Sequence, residues 1–136
     1  MRRADKIVTA ARGLIGAPFR LHGRSAETGV DCIGLAVAAL GGAGHKRLGG
    51  TIVPAAYSVR GGTVERFVSA MLAAGLRPVR RGKPGDLVLT RAGVAQFHLM
   101  IATATGHIHA DASLGKVVEL PAAAPWPVIA QFRWGR

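Results

Sequence analysis

The chain has 136 residues, 49% of them hydrophobic, which suffices for one domain with a real core and is too little for two comfortable ones. Lys and Arg outnumber Asp and Glu by 18 to 7, and the formal charge of +11 draws anionic partners such as nucleic acid, acidic lipid or cell-wall polymer without choosing among them. A single cysteine, Cys32, excludes an internal disulfide and leaves the thiol free for chemistry.

At the N-terminus, "MRRADKIVTAARGLIGAPF" is basic first, but Lys6 and Arg12 interrupt the apolar stretch before it reaches the length of a signal h-region. No signal peptide is read, and nothing approaches the ~18 consecutive apolar residues of a membrane-spanning helix, so a soluble protein made in the cytoplasm is expected. Ile7, Val8, Ala11, Leu14 and Ile15 recur at helical spacing until Gly16 and Pro18 stop the pattern. After a polar loop holding "HGRSAETGV", Ile33, Leu35, Ala36, Val37, Ala39 and Leu40 predict a nearly all-round apolar helix ended by Gly41 and Gly42. Cys32 falls in its first turn, and Asp31 fits as its N-cap.

Residues 41–62 carry glycines and Pro54 without a period and are expected to be irregular. Thr63 can then cap a third helix with a stripe of Val64, Phe67, Val68, Met71 and Leu72, ended by Gly75 and Pro78. The basic run "RPVRRGK" at 77–83 predicts a solvated loop, since no aromatic residue for base stacking stands beside it. From Lys83 on, "GDLVLT", "FHLMIAT", "HIHAD", "KVVEL" and "VIAQFRW" are short apolar segments between turn residues, with Asp86 tying the first turn. The alanine-rich "PAAAPWP" reads as a rigid connector into the last strand, and Trp126 and Trp134 as packing residues. Helices first and an antiparallel sheet second give an α+β fold, residues 1–136 forming one domain with helices packed on the sheet.

A helix N-terminus and a nearby imidazole lower a thiol's pKa by stabilising the thiolate, although the charge of Asp31 opposes this at Cys32. His22 and His45 lie in loops; His98 opens one strand, and His107 and His109 sit on the next. If the loop between those strands has an even number of residues, His98 shares a face with both. This permits a Cys32, His98, His109 set, in which His98 is the base and the second histidine orients it. Three imidazoles and the thiolate could also ligate zinc, but the spacing matches no standard motif and no metal is expected.

The ordered blocks "APFRLHGRSAETGVDCIGL", "KPGDLVLT", "FHLMIATATGHIHA" and "KVVEL", within residues 7–134, resemble the NlpC/P60 family of papain-like cysteine peptidases. The chain is similar in particular to the short versions encoded with phage or gene-transfer-agent tail genes. The resemblance implies a papain-like α+β fold and a cell-wall peptidase that needs no cofactor and cuts peptidoglycan stem peptides beside γ-D-glutamyl and diaminopimelate units. It further implies Cys32 as nucleophile, His98 as base and His109 as the third polar residue, with Asp31, Phe19 and His107 in the vicinity of the substrate or oxyanion. Phage or gene-transfer-agent tail proteins would be its partners, in a particle acting on the wall.

Two positions depart from the family's pattern. Ile33 replaces the usual serine after the cysteine, and Phe19 replaces a tyrosine whose hydroxyl faces the site. The loss at Phe19 leaves open a non-catalytic tail or wall-binding module of the same fold. A basic nucleic-acid binder would rest on charge alone, with no recognition motif.

Overall fold

The computed structural model describes residues 1–45, 64–93, 96–122 and 124–135. Helix α1 (Arg3–Arg12) buries Ile7, Val8 and Ala11 at the spacing of one helical face. It ends earlier than the periodicity suggested: Leu14 packs against the core from the following turn, while Ile15 is exposed there. The chain then runs beside a later strand, Phe19 N–H donating to Gly115 O at 2.8 Å and Gly16 N–H to Val117 O at 2.9 Å.

The loop expected around "HGRSAETGV" holds a minimal hairpin, β1 (Arg24–Ser25) against β2 (Gly29–Val30). Gly29 has a φ of 123°, a region closed to most side chains, and a Cβ there would also run into Pro18 O and Arg20. The hairpin delivers the chain to α2 (Cys32–Gly42), where Asp31 accepts the N–H of Gly34 as the N-cap. Continuous apolarity is explained by position: α2 packs on α1 and against the sheet, and Cys32, Ile33, Gly34, Leu35, Ala36, Ala39 and Leu40 are all buried.

Helix α3 (Val64–Ala73) buries Phe67 and Met71, whereas Leu72, expected in the stripe, is half exposed. The expected cap Thr63 and most of the expected irregular segment lie outside the described residues. Gly75, at a φ of 86°, turns the chain into β3 (Leu76–Val79). Residues 77–79 are therefore an edge strand and not the solvated loop expected; Pro78 is tolerated there because only one side of the strand is paired.

The five later strands follow the segments read from the sequence: β4 (Leu87–Gly93), β5 (Gln96–Ala102), β6 (His107–Asp111), β7 (Lys116–Leu120) and β8 (Val128–Trp134). With β3 they form one antiparallel sheet in the order β3-β8-β4-β5-β6-β7. Leu87, Leu89, Leu99, Ile101, Ile108, Ala110, Val117 and Phe132 join Ile33, Leu35, Leu40 and Phe67 in the core. Asp86 ties its turn as expected, accepting Lys83 N–H at 2.7 Å, and also forms a two-pronged ion pair with Arg133, both contacts at 2.8 Å. Among the described residues no helix is long and apolar enough to cross a membrane.

Candidate active site

Strand pairing decides which histidines meet. Ile101 pairs with Ile108 and Ala102 with His107, leaving an even loop, residues 103–106, between β5 and β6. Period-two alternation then puts His98, His107 and His109 on one face, while Ile108 and Ala110 enter the core. His98 Nε2 lies 2.9 Å from His109 Nδ1, with the rings nearly perpendicular at 89°. Trp126, carried by the connector after β7, meets both rings edge-on, at 5.1 Å from His98 and 6.0 Å from His109 between centroids.

A cleft of about 510 Å³ is lined by Cys32, His98, His109, Asp31, Phe19 and Trp126, among others. His107 lies apart from it. Its Nδ1 donates to Ala122 O at 2.8 Å, and its ring lines a neighbouring cavity with Met100 and Gln131. His45, also set aside at the sequence level, hydrogen-bonds Ala74 O through Nε2 far from these groups, and His22 is exposed. The rings of His98 and His109 are bonded to each other and that of His107 to a carbonyl. No group of three or more His, Cys, Asp or Glu side chains among the described residues is arranged to hold a metal ion.

Cys32 sits at the N-terminus of α2, almost wholly buried. The expectation of a lowered thiol pKa is not met. Burial pushes Cys32 up to about 12, and Asp31 adds to the rise; the backbone N–H groups of Leu99 and Ile33, with Arg24, pull the other way without prevailing. Sequence reasoning weighed the helix terminus and the imidazole but could not see the depth of burial. His98 moves oppositely, down to about 4, through burial and the neighbouring His109, with Asp111 drawing it partly back. Burial lowers His109 as well.

Burial thus favours the neutral form of each group, and a neutral His98 retains the lone pair that a general base needs. Gly34 N–H is already taken by Asp31, whereas the N–H of Cys32 precedes the first intrahelical bond and is free to meet a developing oxyanion. Phe19 places an apolar ring, without a hydroxyl, on the cleft wall. The sequence reading missed Asp111, which lines the cleft beside His109; its signal was present, since "HAD" repeats a polar residue two positions on along the same strand face.

No protein-family profile matches the chain, and no curated protein sequence matches it. Solved structures do. The P60 domain of an antigen from M. avium subspecies paratuberculosis superposes with a TM-score of 0.63 at 22% identity, over 97% of this chain and 93% of that one. The peptidoglycan hydrolase RipB from Mycobacterium tuberculosis gives 0.65 at 25% identity, over 96% of this chain and 64% of that one. The NlpC/p60 domain of the peptidoglycan hydrolase SagA gives 0.54 at 24% identity, over 87% and 88%. The helices and the antiparallel sheet of the described residues are thus those of a known architecture: the chain has the α+β fold of NlpC/P60 domains.

Proposed function

We propose that the protein is a cysteine peptidase of the NlpC/P60 type that hydrolyses amide bonds in peptidoglycan stem peptides. The observation that carries this reading is the convergence of Cys32, at the start of α2, with the bonded pair His98 and His109 on one cleft. Because His98 Nε2 is engaged by His109, Nδ1 is the nitrogen left to take the thiol proton as Cys32 Sγ attacks the scissile carbonyl. The oxyanion draws on Cys32 N–H, and His98 returns the proton to the departing amine. Water, deprotonated by His98, then releases the acid from the thioester.

The scissile bond in this proposal is γ-D-glutamyl–diaminopimelate, and the delivery vehicle a phage or gene-transfer-agent tail; both rest on the likeness of the sequence blocks. Part of the +11 charge lines one groove, where Arg2, Arg3 and Lys83 stand with the ion-paired Arg12 and Arg133 beside Asp5, and this favours retention on an anionic wall. Phe19 and the raised Cys32 pKa favour one competing reading, a wall-binding module of the same fold with little or no turnover. Hydrolysis of purified peptidoglycan, followed by mass spectrometry of the released peptides, separates the two. The proposal expects cleavage that Cys32→Ala abolishes and a chelator leaves intact; binding without cleavage by the unaltered protein refutes it.

A further inference from the structure

Asp111 carries a role that the histidine pair alone does not explain. Its Oδ1 accepts the N–H of Leu114 at 3.0 Å, which fixes the carboxylate at the end of β6. The other oxygen, Oδ2, lies 3.6 Å from His109 Nε2. That nitrogen is buried and has no hydrogen-bond partner within ordinary range. Separation by one residue on β6 places both side chains on the same strand face, and Asp111 also lines the cleft.

One proton lies between His98 Nε2 and His109 Nδ1, and the assignment has two solutions. If His109 donates, its Nε2 turns a lone pair toward a carboxylate that can only accept, and His98 must carry its own proton on Nδ1. If His98 donates, His109 presents Nε2–H to Asp111 Oδ2, and His98 Nδ1 is unprotonated. The second ring beside His109 is committed elsewhere: His107 donates Nδ1–H to Ala122 O, and its Nε2 is buried without a hydrogen-bond partner. The remaining ionisable neighbours are Cys32 on α2, with Asp31 and its partner Arg24 behind it, and none of these is bonded to the outer nitrogen of His109.

We propose that Asp111 is a positioning residue whose Oδ2 holds the proton of His109 on Nε2, and thereby leaves His98 Nδ1 free to accept a proton. The proposal rests on Cys32 and His98 acting as nucleophile and base. It extends the polar chain to four members, Cys32, His98, His109 and Asp111, in which the carboxylate's negative charge stabilises the imidazolium that forms during attack. Its negative charge raises the pKa of both histidines, offsetting part of their burial.

The test uses the imidazole nitrogen resonances of the unaltered protein together with Asp111→Asn, which keeps an oxygen for Leu114 N–H but sets an amide donor opposite His109. In the unaltered protein both His98 and His109 are expected in the Nε2–H form. In Asp111→Asn the two rings are expected to shift toward Nδ1–H. Its kcat on peptidoglycan fragments is expected to fall about 100-fold with little change in KM, and the acid limb of the pH profile to move to lower pH. A purely structural Asp111 predicts unchanged tautomers and an unchanged profile in the variant, and that result overturns the proposal. So does an Nδ1–H form of His109 in the unaltered protein, a measurement that needs no variant to fold. Tautomers that respond to Asp111→Asn in a protein without hydrolytic activity would sustain the positioning role and refute the peptidase reading instead.

Discussion

Arg24 Nη1 lies 2.9 Å from Asp31 Oδ1, so the carboxylate that caps α2 is charge-compensated one residue before Cys32. The same oxygen accepts Gly34 N–H at 2.8 Å, and Oδ2 accepts the N–H of His22, whose φ of 62° is rare outside glycine. One buried side chain thereby ties the loop around His22 to the start of α2.

Replacing Asp31 with Ala removes a helix cap and leaves Arg24 without its partner. A loss of about 2–4 kcal/mol in unfolding free energy is expected, measurable by denaturant titration. Asp31→Asn is expected to lose less, because an amide oxygen can still receive Gly34 N–H. An Asp31→Ala protein as stable as the parent would show that the cap and ion pair contribute nothing.

Alkylation of Cys32 tests the electrostatics of the free site. With burial pushing the thiol up to about 12, little thiolate is present near neutral pH. Iodoacetamide is therefore expected to react more slowly than with a free small-molecule thiol, and the rate to climb about tenfold per pH unit from 7 to 10 without a plateau. A plateau near neutral pH would instead reveal a preformed thiolate–imidazolium pair.

The depressed histidines make stability depend on acid in a defined direction. His98 falls from 6.5 unfolded to about 4 folded, so between those values the unfolded chain binds more protons than the folded one. Stability from this group is complete above about pH 6.5 and lost as the pH falls toward 4, by up to a few kcal/mol; His109 shifts in the same direction and adds to it. Thermal melts of the parent and of His98→Gln across this window check the sign. The variant's melting temperature is expected to fall less steeply with acid.

His109→Ala is expected to lower turnover far more than His107→Ala, since His109 bonds His98, the proposed base, whereas His107 is anchored to Ala122 O outside the cleft. An acceptor at position 109 can still receive a proton from His98, so His109→Asn and His109→Gln are expected to retain more activity than His109→Ala. Kinetics on folded variants decide the matter, and an inactive His107→Ala beside a normal His109→Ala would reassign the triad.

The order of elements was legible in the chain because each long element has a strong period. The α2 pattern from Ile33 to Leu40, the strand segments from Leu87 onward and the cap at Asp31 all read directly, whereas a shared face for His98 and His109 depended on an even loop, which the pairing of Ala102 with His107 supplies. Short or locally atypical pieces did not read. The edge strand at Leu76–Val79 contains Pro78 and three or more nearby cations, and only pairing with β8 makes it a strand. The two-residue hairpin at Arg24–Val30 is too short to carry a period at all.

What tertiary structure alone decided are properties that depend on distance and enclosure. Periodicity brings Cys32 to a helix start, but the desolvation that pushes its thiol up to about 12 comes from residues remote in sequence packed around it. Likewise Asp86 was expected to tie its own turn, yet its strongest contacts run to Arg133, 47 positions away. The separation of His109 from His107 follows the same rule: both share a strand face, yet His109 lines the cleft while His107 lies outside it, bonded to the carbonyl of Ala122.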